Sequence, residues 1–296
     1  MLLSVLLQRL TPLTFVSRCA GRLGASRRRW IAQPLIRLFI KRYDIDMREA
    51  ALPRAGDYPS FNAFFSRALR PQARPPAQAD CISPVDGRIS QRGHIDGDQL
   101  IQAKQQTYSA AELLGDARLA RRLSGGHFLT LYLSPGDYHR VHLPCAAQLV
   151  AMRHVPGRRF SVRPEIVERV DGLLARNERR VCHFRHPVWG EFALVLVGAA
   201  MVGSIVTRWD DALPRALRQG RWQWRAPDTG QAARWLPAGA DIGHFEMGSS
   251  VVLLLPASAR PLAAAWRPGA AVRCGQALSD TLFEPERPAT AGQTGH

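Results

Sequence analysis

Three short stretches hold the residues able to do chemistry. In Gly243 to Leu255 (GHFEMGSSVVLLL), Ser249 follows Gly248 immediately before a strongly apolar run. A serine hydroxyl is a poor nucleophile until a neighbouring base takes its proton. In Tyr132 to Cys145 (YLSPGDYHRVHLPC), His139 and His142 stand three apart beside Asp137 and Tyr138, just after an apolar run ending at Leu133. A strand sends residues three apart to opposite faces, whereas a turn or helical segment lets them converge. In Ser83 to Ser90 (SPVDGRIS), Asp86 precedes a glycine, the chemistry of a braced turn. No string is diagnostic alone: the histidines suit a base, a metal or a satisfied core position, and Gly-Ser-Ser steps are common in turns. No second His/Cys/Glu cluster completes a ligand set, so no metal is expected. The G-x-S-x-G elbow of many hydrolases is absent around Ser249.

These residues need elements to hold them. From Cys81 onward, short apolar runs alternate with Gly, Pro, Asp and Asn, among them Phe128 to Leu133, Gln148 to His154, Phe192 to Val197 and Val251 to Leu255. That texture implies an antiparallel or mixed sheet with tight turns, interrupted by one helix from Ser109 to Ser124. Upstream, the pattern is helical. Leu2, Leu3, Leu6, Leu7 and Leu10 recur at helical spacing, and Ile31, Leu35, Leu38 and Phe39 form a second stripe beside Arg37, Lys41 and Arg42. A short helix is expected over Tyr58 to Leu69, N-capped by Ser60, and the proline-rich Arg70 to Pro76 ends helical structure. The fold expected is therefore α+β: a helical region over 1–77, a β-rich, mostly antiparallel core over 78–285, and a polar, disordered tail over 286–296.

Composition narrows the partners. The 296 residues carry a formal charge of +16, with 40 basic residues of which only Lys41 and Lys104 are lysines. Residues 1 to 43 contain nine basic residues and no acid, so anionic partners are favoured, a membrane surface or a nucleic acid. Apolar stripes flanked by arginine suit the headgroup region of a membrane, or equally helices that cover the core. The longest uncharged apolar stretch, Phe192 to Val206, is shorter than the roughly 18 residues a spanning helix needs. Five cysteines without a C-x-x-C pair fit free thiols in a reducing compartment.

Read in order, SPVDGRIS, LSPGDYHRVHLPC, VPGRRFSV, ARNER, VGAAMVGSI and FEMGSSV, with FNAFFSRALRPQARP upstream, resemble the phosphatidylserine decarboxylases over about residues 1 to 283. The resemblance implies a chain that cuts its own Gly248-Ser249 bond and converts Ser249 into a covalent pyruvoyl group. Asp86, His142 and Ser249 then match an Asp-His-Ser triad, with His139 a possible auxiliary. The pyruvoyl would form a Schiff base with phosphatidylserine, and decarboxylation would release phosphatidylethanolamine. His142 is the first candidate for the proton donor and His139 the second. The products of the cut, chains 1–248 and 249–296, would stay together as a heterodimer, possibly within a higher oligomer. The expected location is peripheral, on the cytoplasmic face of the cell membrane, with phosphatidylserine and the anionic surface as partners and no nucleic acid. The family pattern at the cut is Leu-Gly-Ser-Thr; Met247 and Ser250 depart from it and place two serines side by side. A serine hydrolase using the same three residues would instead keep its chain whole, and a basic membrane- or nucleic-acid-binding protein would leave the ordered motifs without a reason.

Overall fold

The computed structural model describes residues 21–103, 106–199, 204–214, 217, 220–230, 233–246 and 248–279. The helix expected at Leu2 to Leu10 and the tail from Glu284 lie outside the described residues. Fourteen strands follow in chain order. The first seven are β1 (Gly87–His94), β2 (Gln99–Ala103), β3 (Gln106–Ser109), β4 (His127–Leu133), β5 (Arg140–His142), β6 (Ala147–Val155) and β7 (Arg179–His186). The rest are β8 (Gly190–Gly198), β9 (Ile205–Thr207), β10 (Trp222–Arg225), β11 (Trp235–Leu236), β12 (Asp241–Phe245), β13 (Ser249–Leu255) and β14 (Ala271–Val272). Nine of them form one sheet in the order β10-β6-β7-β8-β13-β4-β1-β14, with β11 also paired to β6. A smaller sheet runs β5-β12-β9, and β2-β3 is a hairpin. Every pairing between these strands is antiparallel, as the run lengths and turn residues imply.

The apolar runs form the middle of the large sheet because both of its faces are covered. All seven residues of β13 are buried. Val251, Leu253 and Leu255 belong to one core cluster with Val141, Ile205 and Phe245, under the small sheet. Val252 and Leu254 belong to a second cluster with Leu113, Leu119 and Leu123, under helices. Strand alternation thus explains why VVLLL is apolar throughout instead of at every second position.

The expected helix over Ser109 to Ser124 is two, α3 (Ala110–Leu114) and α4 (Ala117–Leu123). Gly115 closes α3 in the left-handed conformation at φ 61°, and the Asp116 side chain caps the first turn of α4. A C-cap glycine followed by an N-cap aspartate is a stop and a restart. Upstream, α1 spans Arg29–Tyr43 and α2 Phe61–Phe65. Ser60 caps α2 as expected, its Oγ accepting from Ala63 N at 3.2 Å. The helix ends earlier than its sequence pattern because residues 68 to 70 pair with 49 to 51 through Ala51 N to Ala68 O and Arg70 N to Glu49 O. The face α1 turns inward is also not the expected stripe: Ala32 and Ile36 are buried, Leu35 and Phe39 pack beside them, and Leu38 is 66% exposed.

One buried polar residue ties the layers together. Asn177 is fully buried; its Oδ1 accepts from Phe160 N at 3.0 Å, and its Nδ2 donates to Phe160 O and Gly198 O, both at 2.9 Å. Gly198 is the β8 residue that pairs with Ser249. Replacing Asn177 with Ala strands one N–H and two C=O groups, so Asn177→Ala is expected to lower stability by about 2–4 kcal/mol, seen as a lower urea midpoint. An unchanged midpoint would show that this anchor contributes nothing.

Candidate active site

The site forms where three neighbouring strands of the large sheet share an end. β4 runs into the Ser134–Tyr138 turn, while β1 and β13 start there because both run antiparallel to it. Asp86 directly precedes β1, and Ser249 opens β13, paired with Leu133 on one side and Gly198 on the other. Gly87 is required by close approach: a Cβ there would lie 2.4 Å from Tyr132 O. The turn closes on itself, with Asp137 N donating to Ser134 O at 2.9 Å and Asp137 Oδ2 accepting from Ser134 N at 2.6 Å. Burial raises the Asp137 carboxyl, against the hydrogen bond from Ser134, and nearby Asp86 raises it further.

Ser249 is fully buried and its Oγ has no hydrogen-bond partner. An unsatisfied buried hydroxyl costs about 1–3 kcal/mol, so its presence calls for a reason beyond packing. Gly248 provides room rather than strain. A Cβ on it would meet nothing within 4 Å, and its φ is not in the left-handed region.

The two histidines are differently placed. His139 is completely buried against Phe65, ring centroids 4.1 Å apart. Its Nδ1–H donates to Asp137 O at 2.8 Å and its Nε2 has no partner. Burial pushes its pKa down to about 3, outweighing that hydrogen bond. His142 lies on β5 and is half-buried. Its Nδ1–H donates to Gly239 O at 2.7 Å, so Nε2 carries the lone pair and accepts the Tyr138 hydroxyl at 2.9 Å. Gly239 presents that carbonyl from a left-handed conformation, φ 78°. Tyr138 is held protonated by burial, with Asp241 adding to the effect.

Asp86, His142 and Ser249 thus lie towards one end of the sheet, and among the described residues no hydrogen bond joins any two of them. Asp86 accepts instead from Arg74, Nη2 to Oδ2 at 2.6 Å and Nε to Oδ1 at 2.9 Å, and from Cys274 N at 2.8 Å. Arg74 also reaches Glu49 at 2.9 Å. Against the opposing effect of burial, these carboxylates raise the Arg74 pKa. In the sequence, RPQARPP ends a helix and FNAFFSRALRPQARP belongs to the family resemblance, but neither reading singles out Arg74 or Arg67. Arg67 is 5% exposed, with Nε and Nη1 unpartnered and Nη2 3.4 Å from Gly136 O. Both arginines line, with Asp86, Arg88, Asp137 and Tyr138, a cavity of about 490 Å³. A buried charge without a counter-charge is the signal that finds Arg67, and it exists only in three dimensions. The four described cysteines are buried and unpaired, and burial raises the thiols of Cys81 and Cys182 to about 12.

The arrangement offers a buried serine hydroxyl without a partner among the described residues, two imidazoles each donating from Nδ1, and an arginine-lined cavity that reaches Ser134, Asp137 and Tyr138. The chain also resembles known proteins along most of its length. The family model described as phosphatidylserine decarboxylase matches residues 61–280, and a second, described as PSD, matches residues 3–44. A phosphatidylserine decarboxylase proenzyme of Polaromonas naphthalenivorans (strain CJ2) is 44% identical over 286 residues, covering 96% of this chain and 99% of that one. Proenzymes of the same description from Verminephrobacter eiseniae (strain EF01-2) and Methylibium petroleiphilum (strain ATCC BAA-1232 / LMG 22953 / PM1) are each 48% identical, covering 94% of this chain and 97% of theirs. Likeness of that extent along nearly the whole length settles the family: this chain belongs to the phosphatidylserine decarboxylases, which are carboxy-lyases.

Proposed function

We propose that the chain cuts itself at Gly248-Ser249, that Ser249 becomes a pyruvoyl group, and that the processed enzyme converts phosphatidylserine to phosphatidylethanolamine. The observation that carries this is the fully buried, unpartnered Ser249 hydroxyl beside an unobstructed Gly248. Sealed from solvent, that hydroxyl can reach its own upstream carbonyl through a five-membered cyclic intermediate, whereas attack on its own carbonyl would close a strained four-membered ring.

His142 is the base. At a pKa of about 3, His139 is too weak a base to take a serine proton efficiently, whereas Gly239 O keeps the Nε2 lone pair of His142 exposed to an incoming O–H. Action on Ser249 requires His142 to exchange its Tyr138 hydrogen bond for the serine hydroxyl. Gly239 O sets the imidazole tautomer in the uncut chain, the role that an Asp-His-Ser triad gives to its aspartate, here Asp86. The role proposed for Asp86 is to act with His142 once its bonds to Arg74 are exchanged. Ser249 Oγ then attacks Gly248 C, the peptide C–N bond breaks and an ester forms. Loss of the Ser249 Cα proton expels the Gly248 carboxylate, and water releases ammonia to leave the pyruvoyl. That group supplies an electron sink for the bond to the departing carboxylate. For the turnover proton we favour the second-ranked candidate over His142. His142 is engaged by Gly239 O and Tyr138, whereas His139 Nε2 has no partner among the described residues, and an arriving anion would offset the burial that keeps it neutral.

Arg67 faces the substrate from the 490 Å³ cavity, where its two unmet N–H donors would bind the phosphate. Membrane contact falls to the helical region over 1–77, the β-rich core over 78–285 carrying the chemistry. Among the described residues, no helix is long and apolar enough to cross a membrane. Among the described residues, five of the eight exposed large apolar side chains lie between Leu23 and Leu52, with Trp30 72% exposed on a helix that is basic in its last turn and has no acid in its first. That surface supports peripheral attachment to an anionic leaflet. The products 1–248 and 249–296 would remain together, because β13 is hydrogen-bonded on both sides to strands of the larger piece.

With phosphatidylserine vesicles as substrate, wild type and Ser250→Ala are expected to yield phosphatidylethanolamine and Ser249→Ala none. His142→Ala should stay uncut, while His139→Ala is cut yet loses at least 100-fold in kcat. Activity in Ser249→Ala would end the proposal. Arg67→Met is expected to raise KM about tenfold or more with little change in cleavage, and an unaltered KM would remove Arg67 from substrate binding. Trp30→Ser with Leu38→Ser should reduce co-sedimentation with anionic vesicles at least tenfold, and equal sedimentation would place the membrane contact elsewhere.

A further inference from the structure

A second cavity, of about 620 Å³, opens on the other side of the molecule. Ser249 pairs with Gly198 at one end of β8, and Glu191, in the wall of this cavity, is at the other end, roughly 23 Å along the strand at about 3.3 Å per residue. The faces differ too. His183 pairs with Ala193, and Arg153 with Val181, both residues of the helix-covered cluster, whereas Ser249 alternates with Val251 of the opposite one. Nothing in the chemistry at Ser249 uses this cavity.

Its wall is built for negative charge. Arg118, Arg122, Arg153, Arg185 and Arg225 line it, against two carboxylates, Asp116 and Glu191. Arg153 and His183 are 7% and 6% exposed. Arg153 Nη2 is held by Asp116, but among the described residues its Nε and Nη1 have no partner; His183 Nε2 makes no hydrogen bond there and lies 3.4 Å from Glu191, which Arg122 already engages. Burial lowers the pKa of both groups, that of His183 to about 4, against the opposing pull of Asp116 and Glu191. Arg122 is paired with Glu191, while Arg118 and Arg225 make no ion pair with a described residue. Unmet buried donors are costly and in native proteins mark a missing partner. Arginine forks suit phosphoryl oxygens, and the volume lies within the range of pockets that take small organic ligands.

We propose that this cavity binds a phosphoryl group, carried by a soluble phosphorylated small molecule, with Arg153 the principal donor. The soluble source follows from position: the cavity is at the end of the sheet away from the helical layer that bears Trp30 and Leu38.

The test uses the processed enzyme and calorimetric titration with inorganic phosphate and with glycerol 3-phosphate. A parallel arm measures binding to phosphatidylglycerol vesicles. The expected result is saturable, submillimolar binding of a soluble probe, weakened at least tenfold by Arg153→Met, which keeps the packed stem. Arg67→Met should leave it unchanged. If Arg153→Met does not fold, the surface pair Arg118→Ala and Arg225→Ala serves in its place and should weaken binding at least threefold. Loss of vesicle binding in the variant, without soluble binding in the wild type, would keep the phosphoryl site and assign it to a lipid headgroup. The proposal is overturned if wild type binds neither probe nor loses vesicle affinity on substitution, if binding survives these variants, or if Arg67→Met alone abolishes it.

Discussion

The placement of Ser249 between two hydrogen-bonded neighbours is the constraint on which the site depends. Leu133 of β4 and Gly198 of β8 fix its backbone from both sides, and two cores close over the strand it opens. A residue so held cannot turn its hydroxyl towards water. The unsatisfied group costs about 1–3 kcal/mol, which the seven-residue, fully buried strand readily offsets. Strand order does the rest. Because β1 and β13 flank β4 antiparallel, the start of each and the turn after β4 converge, bringing Asp86, the two histidines and Ser249 to one end of the sheet.

The helical layer completes that end. Phe65 packs on His139, Arg140 donates to Ser66 O at 2.9 Å, and Arg74 bridges Asp86 and Glu49. The surface that bears Trp30 and Leu38 is thus mechanically continuous with the cavity holding Asp86 and Arg67. Under the proposed membrane contact, such continuity would set the cavity at a fixed height above the lipid. The second arginine cavity, at the far end and on the other face, is independent of this arrangement.

Much of this was legible in the residues. The α+β class, the strands at Phe128, Gln148, Phe192 and Val251, the Ser60 cap and the family all follow from local patterns whose physics is local: alternation, turn chemistry and capping. Most of what escaped depends on distant partners, with one exception. The stop and restart at Gly115-Asp116 is local and readable, yet a continuous apolar pattern concealed it. The inward face of α1 was set by Phe61, Phe64 and Phe65, which no periodicity within α1 reveals. The triad is what the family resemblance implies, and a likeness of motifs carries no distances. In the uncut chain Asp86 answers to Arg74, twelve residues upstream, and His142 to Gly239, 97 residues downstream.

The measurement that bears most directly on this account is the intact mass of the purified wild-type protein. Self-processing predicts two chains, 1–248 and 249–296, the smaller one ammonia lighter than a chain with a free N-terminal serine, with Ser249→Ala whole. A single folded wild-type chain of full mass, retained on membranes, would contradict it.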